Sequence, residues 1–380
     1  RKAFQLPETP ERAFLSISAT SQYQLFVNGE YVCCGPARSA AHHQSFDVLD
    51  ISDRLRKGPN VVAVRVQFQR EGVYYYGPSR AGLLAQLDCT SGIQEATFPT
   101  DASWRVTPDE SWLNASPKMA RFHLESCDRV DLRRAVRGWT DIEFDDKEWL
   151  PAKVLRREEG WPAPQQDDRP THLVPPWTSL VPRDIPYLKE SISTARLPIH
   201  VGSIPEPQDE SSFLGDTWAD APVIPRIPVK RTARQDARLD GPFTIAANEP
   251  GKSRVIVYDL GEVQNGKPFL EVKGPRGAVV DIMSAPYLLD GAVRSPIVAS
   301  TYVDRIALSG RRDRWEAFYM KPTRWLAVVF RHLPEDARVF DAGLIRLEYP
   351  FQQRGSFHTP DCPELQALWE GAAKTIQVCT

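Results

Sequence analysis

Hydrophobic and polar positions alternate in short bursts through the first 155 residues. AFLSISAT (13–20) alternates, and YQLFVNGEYV (23–32) brackets Asn28-Gly29 with two apolar runs. Asn-Gly supplies the two φ > 0 residues of a type I′ turn, so a hairpin is predicted there. Tyr23, Leu25 and Val27 fall on one face, with Gln22, Gln24 and Phe26 on the other, which leaves one face to pack on a core. QSFDVLDISDRLRKGPNVVAVRVQFQ (44–69) reads as a strand, a short helical turn, a turn at 57–60 and a second strand. AGLLAQLDC (81–89) adds another. Short strands with turn signals between them predict a β-sandwich or jelly roll over residues 1–155.

The pattern then breaks and returns. Residues 151–242 hold 15 of the 33 prolines with little periodicity, so 156–242 reads as a linker or a long excursion. Trp161, Trp177 and Trp218 argue against free disorder there. SRVIVYDLG, KPFLEVKG, AVVDIMSA, STYVDRIALSG, RWEAFYM, RWLAVVFRHL and DAGLIRLEYP predict a second sandwich over 243–350. In 351–380 the period changes. Leu365, Leu368, Trp369 and Ala372 fall at helical spacing, with Asp361 placed to cap and Pro363 in the first turn. A helix that opens where the sequence stops, in a chain that begins on Arg1, gives the expectation of a piece of a longer protein.

Composition changes this picture little. The 380 residues are 42% hydrophobic and 25% charged, with a formal net charge of −2. That balance favours neither nucleic acid nor an anionic membrane as partner. No apolar stretch approaches the roughly 20 residues that span a bilayer. Arg311-Arg312-Asp313-Arg314 reads as a solvated turn. The six cysteines show no CxxC spacing, so neither a zinc site nor a disulfide framework is expected. The sequon Asn114-Ala115-Ser116 does not decide between a secreted and a cytoplasmic location.

Candidate chemistry is sparse. GEVQNGKP (261–268) follows a phosphate-binding loop until Pro268 takes the place of the magnesium-binding hydroxyl, and a strand rather than a helix follows, so it reads as a turn. His42 and His43, adjacent on a strand, face opposite ways and do not form a metal pair. The adjacent carboxylates Asp145-Asp146, Glu158-Glu159 and Asp167-Asp168 do not by themselves set the separation that glycoside hydrolysis requires. Asp47, Asp50 and Asp53 lack calcium-loop spacing and read as turns and caps. No catalytic residue, cofactor or metal site is expected. Tyr74, Tyr75 and Tyr76 in GVYYYGPSR are candidates to stack on a sugar, the alternative being that they pack into the core.

The hairpin and the segment FDVLDISDRLRKGPNVVAVRV together resemble the galactose-binding-like jelly roll that precedes the catalytic domain in many glycosidases. GWTDIEFDDKEWLPAKV (138–154) is similar to the close of that module. VYDLGEVQNGKPFLEVKGPRGAVVDIMSAPYLLDGAV (257–293) resembles the concanavalin-like sandwich of α-L-rhamnosidases, glycoside hydrolase family 78 in the six-hairpin superfamily. Ala285-Pro286 stands where that pattern carries Ala-Glu. GSFHTPDCPELQALWEGAAKTIQVCT (355–380) resembles the entry to an (α/α)6 barrel. The resemblance implies a mainly β chain: a galactose-binding-like sandwich, a concanavalin-like sandwich, and the first helix of a truncated barrel. It implies a parent that hydrolyses terminal α-L-rhamnosides with inversion, its general acid and base lying beyond Thr380 on the barrel. The chain's expected partners are then its own helical barrel and, through the parent, a rhamnoside-like glycan. Its own role is expected to be scaffolding, with carbohydrate binding without catalysis as the alternative.

Overall fold

The structure is a computed structural model and describes residues 1–39, 43–68, 81–113, 119, 126–155, 161–162, 173–174, 179–195, 198–207, 224–229, 242–295 and 301–379. It divides into two compact units. One is Arg1–Asp109 with Val136–Ile185, and the other is Glu110–Ala135 with Pro186–Thr380.

The first unit is a sandwich. One sheet orders its strands Lys2–Leu6, Gly58–Gln67, Gln22–Val27 and Glu30–Gly35. The other orders Leu180–Pro182, Gln44–Asp50, Arg12–Ala19, Leu83–Ser91 and Gln94–Pro99. The hairpin forms as its sequence predicts. Asn28 and Gly29 take φ of 52° and 91°, and Tyr23, Leu25 and Val27 are buried. They pack against Ala13, Leu15, Ile17, Ala85 and Leu87 of the facing sheet, so alternation on both sheets builds one core. The Asn28 side chain extends the turn's influence. Its Nδ2 donates to Arg54 O (2.8 Å) and Asn60 Oδ1 (2.9 Å), and its Oδ1 accepts from the Val61 amide (2.8 Å). The predicted helical turn is a 3-10 helix, Ser52–Arg54.

The second unit is organised by one long strand, Lys252–Lys273. Its first half pairs with Lys321–Arg331 and His200–Pro205, and its second half with Ala337–Glu348 and Arg312–Glu316. Against Lys321–Arg331 the register slips between Asp259 and Gln264, where residues 260–263 stand opposite Arg324 alone. Such a bulge bends a strand and lets it change neighbours. The first half is buried on both faces. Ile256 and Tyr258 lie in one core with Leu326, Val328 and Phe330; Val255 and Val257 lie in another with Ala327, Val329 and Met283. This explains the continuous apolar runs VIVY and LAVVF, which alternation alone would not produce.

Two contributions to this unit come from distant sequence. Lys189–Thr194 and His200–Pro205, both within the proline-rich stretch, pair with Ala337–Glu348 and with the long strand. Arg129–Asp131 pairs in parallel with Val303–Ala307. The single described α-helix, Pro363–Cys379, closes the chain.

Candidate functional site

The sugar-stacking candidates Tyr74, Tyr75 and Tyr76 lie outside the described residues, as do His42, the sequon 114–116, Glu158-Glu159 and Asp167-Asp168. The other singled-out residues have structural positions. The segment 261–268 lies wholly within the strand Lys252–Lys273, so it has no helix N-terminus to cradle a phosphate. Asp50 accepts from the Ser52 amide (3.0 Å) and hydroxyl (2.5 Å), and the hydroxyl contact first holds its carboxyl below the usual range. Asp145 accepts from the Lys147 amide at 3.1 Å. Arg312 meets Glu271 at 2.5 Å and stacks on Phe340; Arg314 meets Glu316 at 2.7 Å and stacks on Phe269. Arg312 and Arg314 of the basic run are therefore charge-compensated by Glu271 on the neighbouring long strand and by Glu316. Trp139 lies edge-on to Phe26 beneath the Arg65 guanidinium, which occupies the face a sugar would need. Among the described residues no His, Cys, Asp or Glu cluster could hold a metal ion. No described helix is long and apolar enough to cross a membrane.

Phe14 is the exposed aromatic on the outer face of the second sheet of the first unit, in register with Asp50 and Asp88. Both carboxylates are already engaged, Asp50 with Ser52 and Asp88 with Gln86 (2.9 Å) and Thr97 (2.8 Å). This face satisfies itself and presents no converging polar groups.

The dense polar chemistry is buried. In the second unit Asp281 receives Arg305 Nε at 2.6 Å and Arg331 Nε at 2.7 Å. Asp281 and Arg305 are directly opposed across neighbouring strands, the position in which opposite charges interact best. Nearby, Lys321 Nζ lies 3.0 Å from Asp304 Oδ2, with both side chains fully buried. Asp304 Oδ1 accepts from the Asp128 amide (2.8 Å), and Asp128 Oδ2 accepts from the Phe318 amide (2.9 Å). Burial works against the Lys321 charge, but Asp304 and then Asp128 hold it above the ordinary lysine value. Burial, then Asp304, pushes the Asp128 carboxyl up to about 7. The same two causes push the neighbouring Cys127 thiol up to about 12, so it is no nucleophile.

The first unit has two smaller centres. Asp47 accepts from the Tyr23 hydroxyl and pairs with Arg183 Nε at 2.6 Å. Arg1 pairs with Asp146 and donates Nε to Trp139 O at 3.1 Å. These centres are buried, and among the described residues none could hold a metal ion. Sequence periodicity missed them because Asp281, Asp304 and Lys321 are charged residues in strands, which by pattern belong outside, and Asp128 precedes a strand too short to carry a period. The helix Pro363–Cys379 is the opposite case, with Leu365 (49%), Leu368 (68%) and Ile376 (52%) exposed on it.

Among known proteins the chain is similar to alpha-L-rhamnosidases. Residues 8–173 match the alpha-L-rhamnosidase N-terminal domain. An alpha-L-rhamnosidase of Streptomyces avermitilis is 30% identical over 167 residues, 40% of this chain and 15% of that protein. The crystal structure of a family 78 rhamnosidase from Bacillus sp. GL1 covers the whole chain with a TM-score of 0.75 at 20% identity, using 56% of its own length. The Streptomyces avermitilis alpha-L-rhamnosidase complexed with L-rhamnose covers 99% at a TM-score of 0.59 and 20% identity, using 31% of its length. The chain thus spans about half or less of these relatives. Residues 8–173 are an alpha-L-rhamnosidase N-terminal domain, and the chain has the fold of the β-rich N-terminal region of family 78 rhamnosidases.

Proposed function

We propose that this chain is the accessory β-region of an enzyme that hydrolyses terminal α-L-rhamnosides, and that it braces a helical catalytic domain without performing chemistry itself. The match of residues 8–173 to the rhamnosidase N-terminal domain carries this reading. Two further observations support it. The polar centres are buried and built on ion pairs within each unit, which suits a scaffold. The helix Pro363–Cys379 carries exposed Leu365, Leu368 and Ile376, an apolar face suited to packing against further helices. The general acid and base of an inverting hydrolysis then belong to the catalytic domain. The test is hydrolysis of a panel of aryl glycosides by residues 1–380 and by a chain extended through the parent reading frame. The expected result is activity in the longer chain only, led by the α-L-rhamnoside. Activity in residues 1–380 alone would overturn the assignment of a scaffold, and preference for another sugar would overturn the substrate.

A second reading is sugar binding by Tyr74, Tyr75 and Tyr76, favoured by three successive tyrosines between Gly72 and Gly77. Titration of residues 1–380 with L-rhamnose, before and after changing the three to Ala, tests it. Binding that the substitutions leave intact rejects it.

A further inference from the structure

Residues 126–131 reach the second unit from far away in sequence and join it at a sheet edge. Arg129–Asp131 pairs in parallel with Val303–Ala307. The bonds that fix this junction converge on Asp128. Its amide donates to Asp304 Oδ1 (2.8 Å), its carbonyl accepts from the Arg305 amide (2.9 Å), and its Oδ2 accepts from the Phe318 amide (2.9 Å). Oδ1 of Asp128 is buried and has no hydrogen-bond partner among the described residues.

Among the described residues, these charged groups act on Asp128. Asp304 comes from Val303–Ala307, Lys321 from Lys321–Arg331, and Arg129 follows it in the chain; Cys127, which precedes it, is held as a neutral thiol. Lys321 sits 3.0 Å from Asp304, and its attraction for an Asp128 anion is outweighed by burial and by the Asp304 charge. Arg129 NH1 is directed to the carbonyls of Asp128 (3.3 Å) and Val303 (3.2 Å). A second ionised carboxylate beside Asp304, with one bare oxygen, would be the most costly group in the centre, and a neutral carboxyl costs far less.

We propose that Asp128 is a proton-dependent latch, fastening residues 126–131 to the second unit when protonated and loosening them as the pH rises through neutrality. The sign follows from linkage. The closed segment holds the Asp128 proton up to about 7, whereas the opened carboxyl returns towards its ordinary 3.8. The closed form therefore binds the proton more tightly, and its stabilisation falls as pH rises between these values, levelling above the upper one. From about pH 6 to about pH 8 the opening equilibrium rises about tenfold.

Hydrogen exchange of residues 1–380 at these two pH values, corrected for intrinsic rates, reads this directly. Peptides over 126–131 should show about a tenfold rise in opening, while the strand Val279–Ala285 should not follow. Asp128→Asn keeps an acceptor for the Phe318 amide without a charge, so its protection should be equal at both pH values. Wild-type opening that does not change, or an Asn variant with the wild-type pH dependence, overturns the latch. Should the variant not fold, the ¹³C titration of the Asp128 carboxyl in the wild-type chain decides. A midpoint near 7 supports the latch, and one near the ordinary 3.8 refutes it.

Discussion

Replacing Asp281 by Asn removes one negative charge and little volume from the second unit. The carboxylate is fully buried and serves two cations, Arg305 at 2.6 Å and Arg331 at 2.7 Å, whose side chains are 13% and 1% exposed. Water cannot take over either role at Arg331, and little reaches Arg305. Breaking one partner of a buried pair costs about 3–5 kcal/mol, because the remaining charge stays desolvated without a counterion. The amide still offers one acceptor, so the lower half of that range, about 3–4 kcal/mol, is expected. With a urea slope of about 3 kcal/mol/M, the midpoint should fall by about 1 M. Tryptophan fluorescence reads the transition, since Trp315 and Trp325 are buried in this unit and Trp104 in the other. Replacing all three residues by apolar ones, Asp281→Leu with Arg305→Leu and Arg331→Met, should recover most of the loss, because the desolvation cost disappears with the charges. A single variant within about 0.5 kcal/mol of wild type would refute the argument. So would a triple variant that is weaker than the single one.

Three other outcomes follow from the geometry. A Cβ at Gly266 would lie 2.3 Å from Ile345 O, so Gly266→Ala should cost about 3 kcal/mol or more in urea unfolding, whereas Gly355→Ala, with open space around it, should be neutral. Asn28→Ala strips the hairpin of its bonds to Arg54, Asn60 and Val61 and should cost about 2–3 kcal/mol by thermal unfolding; a loss under about 0.5 kcal/mol would show the turn alone sets the hairpin. Tyr23→Phe with Asp47→Leu and Arg183→Leu removes a buried network together, so the first unit should keep its stability within about 1–2 kcal/mol. In the same variant hydrogen exchange over Leu180–Pro182 should accelerate, and unchanged exchange there would show that the parallel pairing with Gln44–Asp50 suffices.

Much of this fold was legible because its signals are local. Asn28-Gly29 demands positive φ in any context, and the alternation of Tyr23, Leu25 and Val27 assigns their face without knowledge of the partner sheet. Gly58 likewise takes a φ of 91° within the predicted turn. The apolar runs of 255–258 and 325–330 marked strands, and the structure buries them on both faces. Pairing was less legible where it is not sequential. Nothing in ESIST marks Lys189–Thr194 as a partner of Ala337–Glu348, because it is polar and sits at an edge with Ile192 exposed. Nor does RVD at 129–131 announce a parallel strand, since three residues carry no period. The buried charges were illegible for a related reason. A lone Lys321 or Asp304 in a strand reads as outward-facing, and only the approach of a remote residue makes its burial tolerable.

That dependence on remote residues gives the buried ions a common location. Asp47 and Arg183 are 136 residues apart, Arg1 and Asp146 are 145 apart, and Asp128 and Asp304 are 176 apart. At the first and third of these contacts, distant segments meet in a short parallel pairing of three residue pairs, which buries little apolar surface of its own. A purely apolar contact would tolerate sliding by one residue or misplacement of the edge strand, because dispersion is nearly direction-free. A charge taken out of water is intolerant of both, since a small displacement leaves it unpaired. At these two junctions the buried polar contacts therefore sit where the chain's own pattern is weakest, and they select one register among several that hydrophobic packing would accept. Under the proposed scaffold role this is the property that matters, because the surface a scaffold offers must be fixed in place as well as stable.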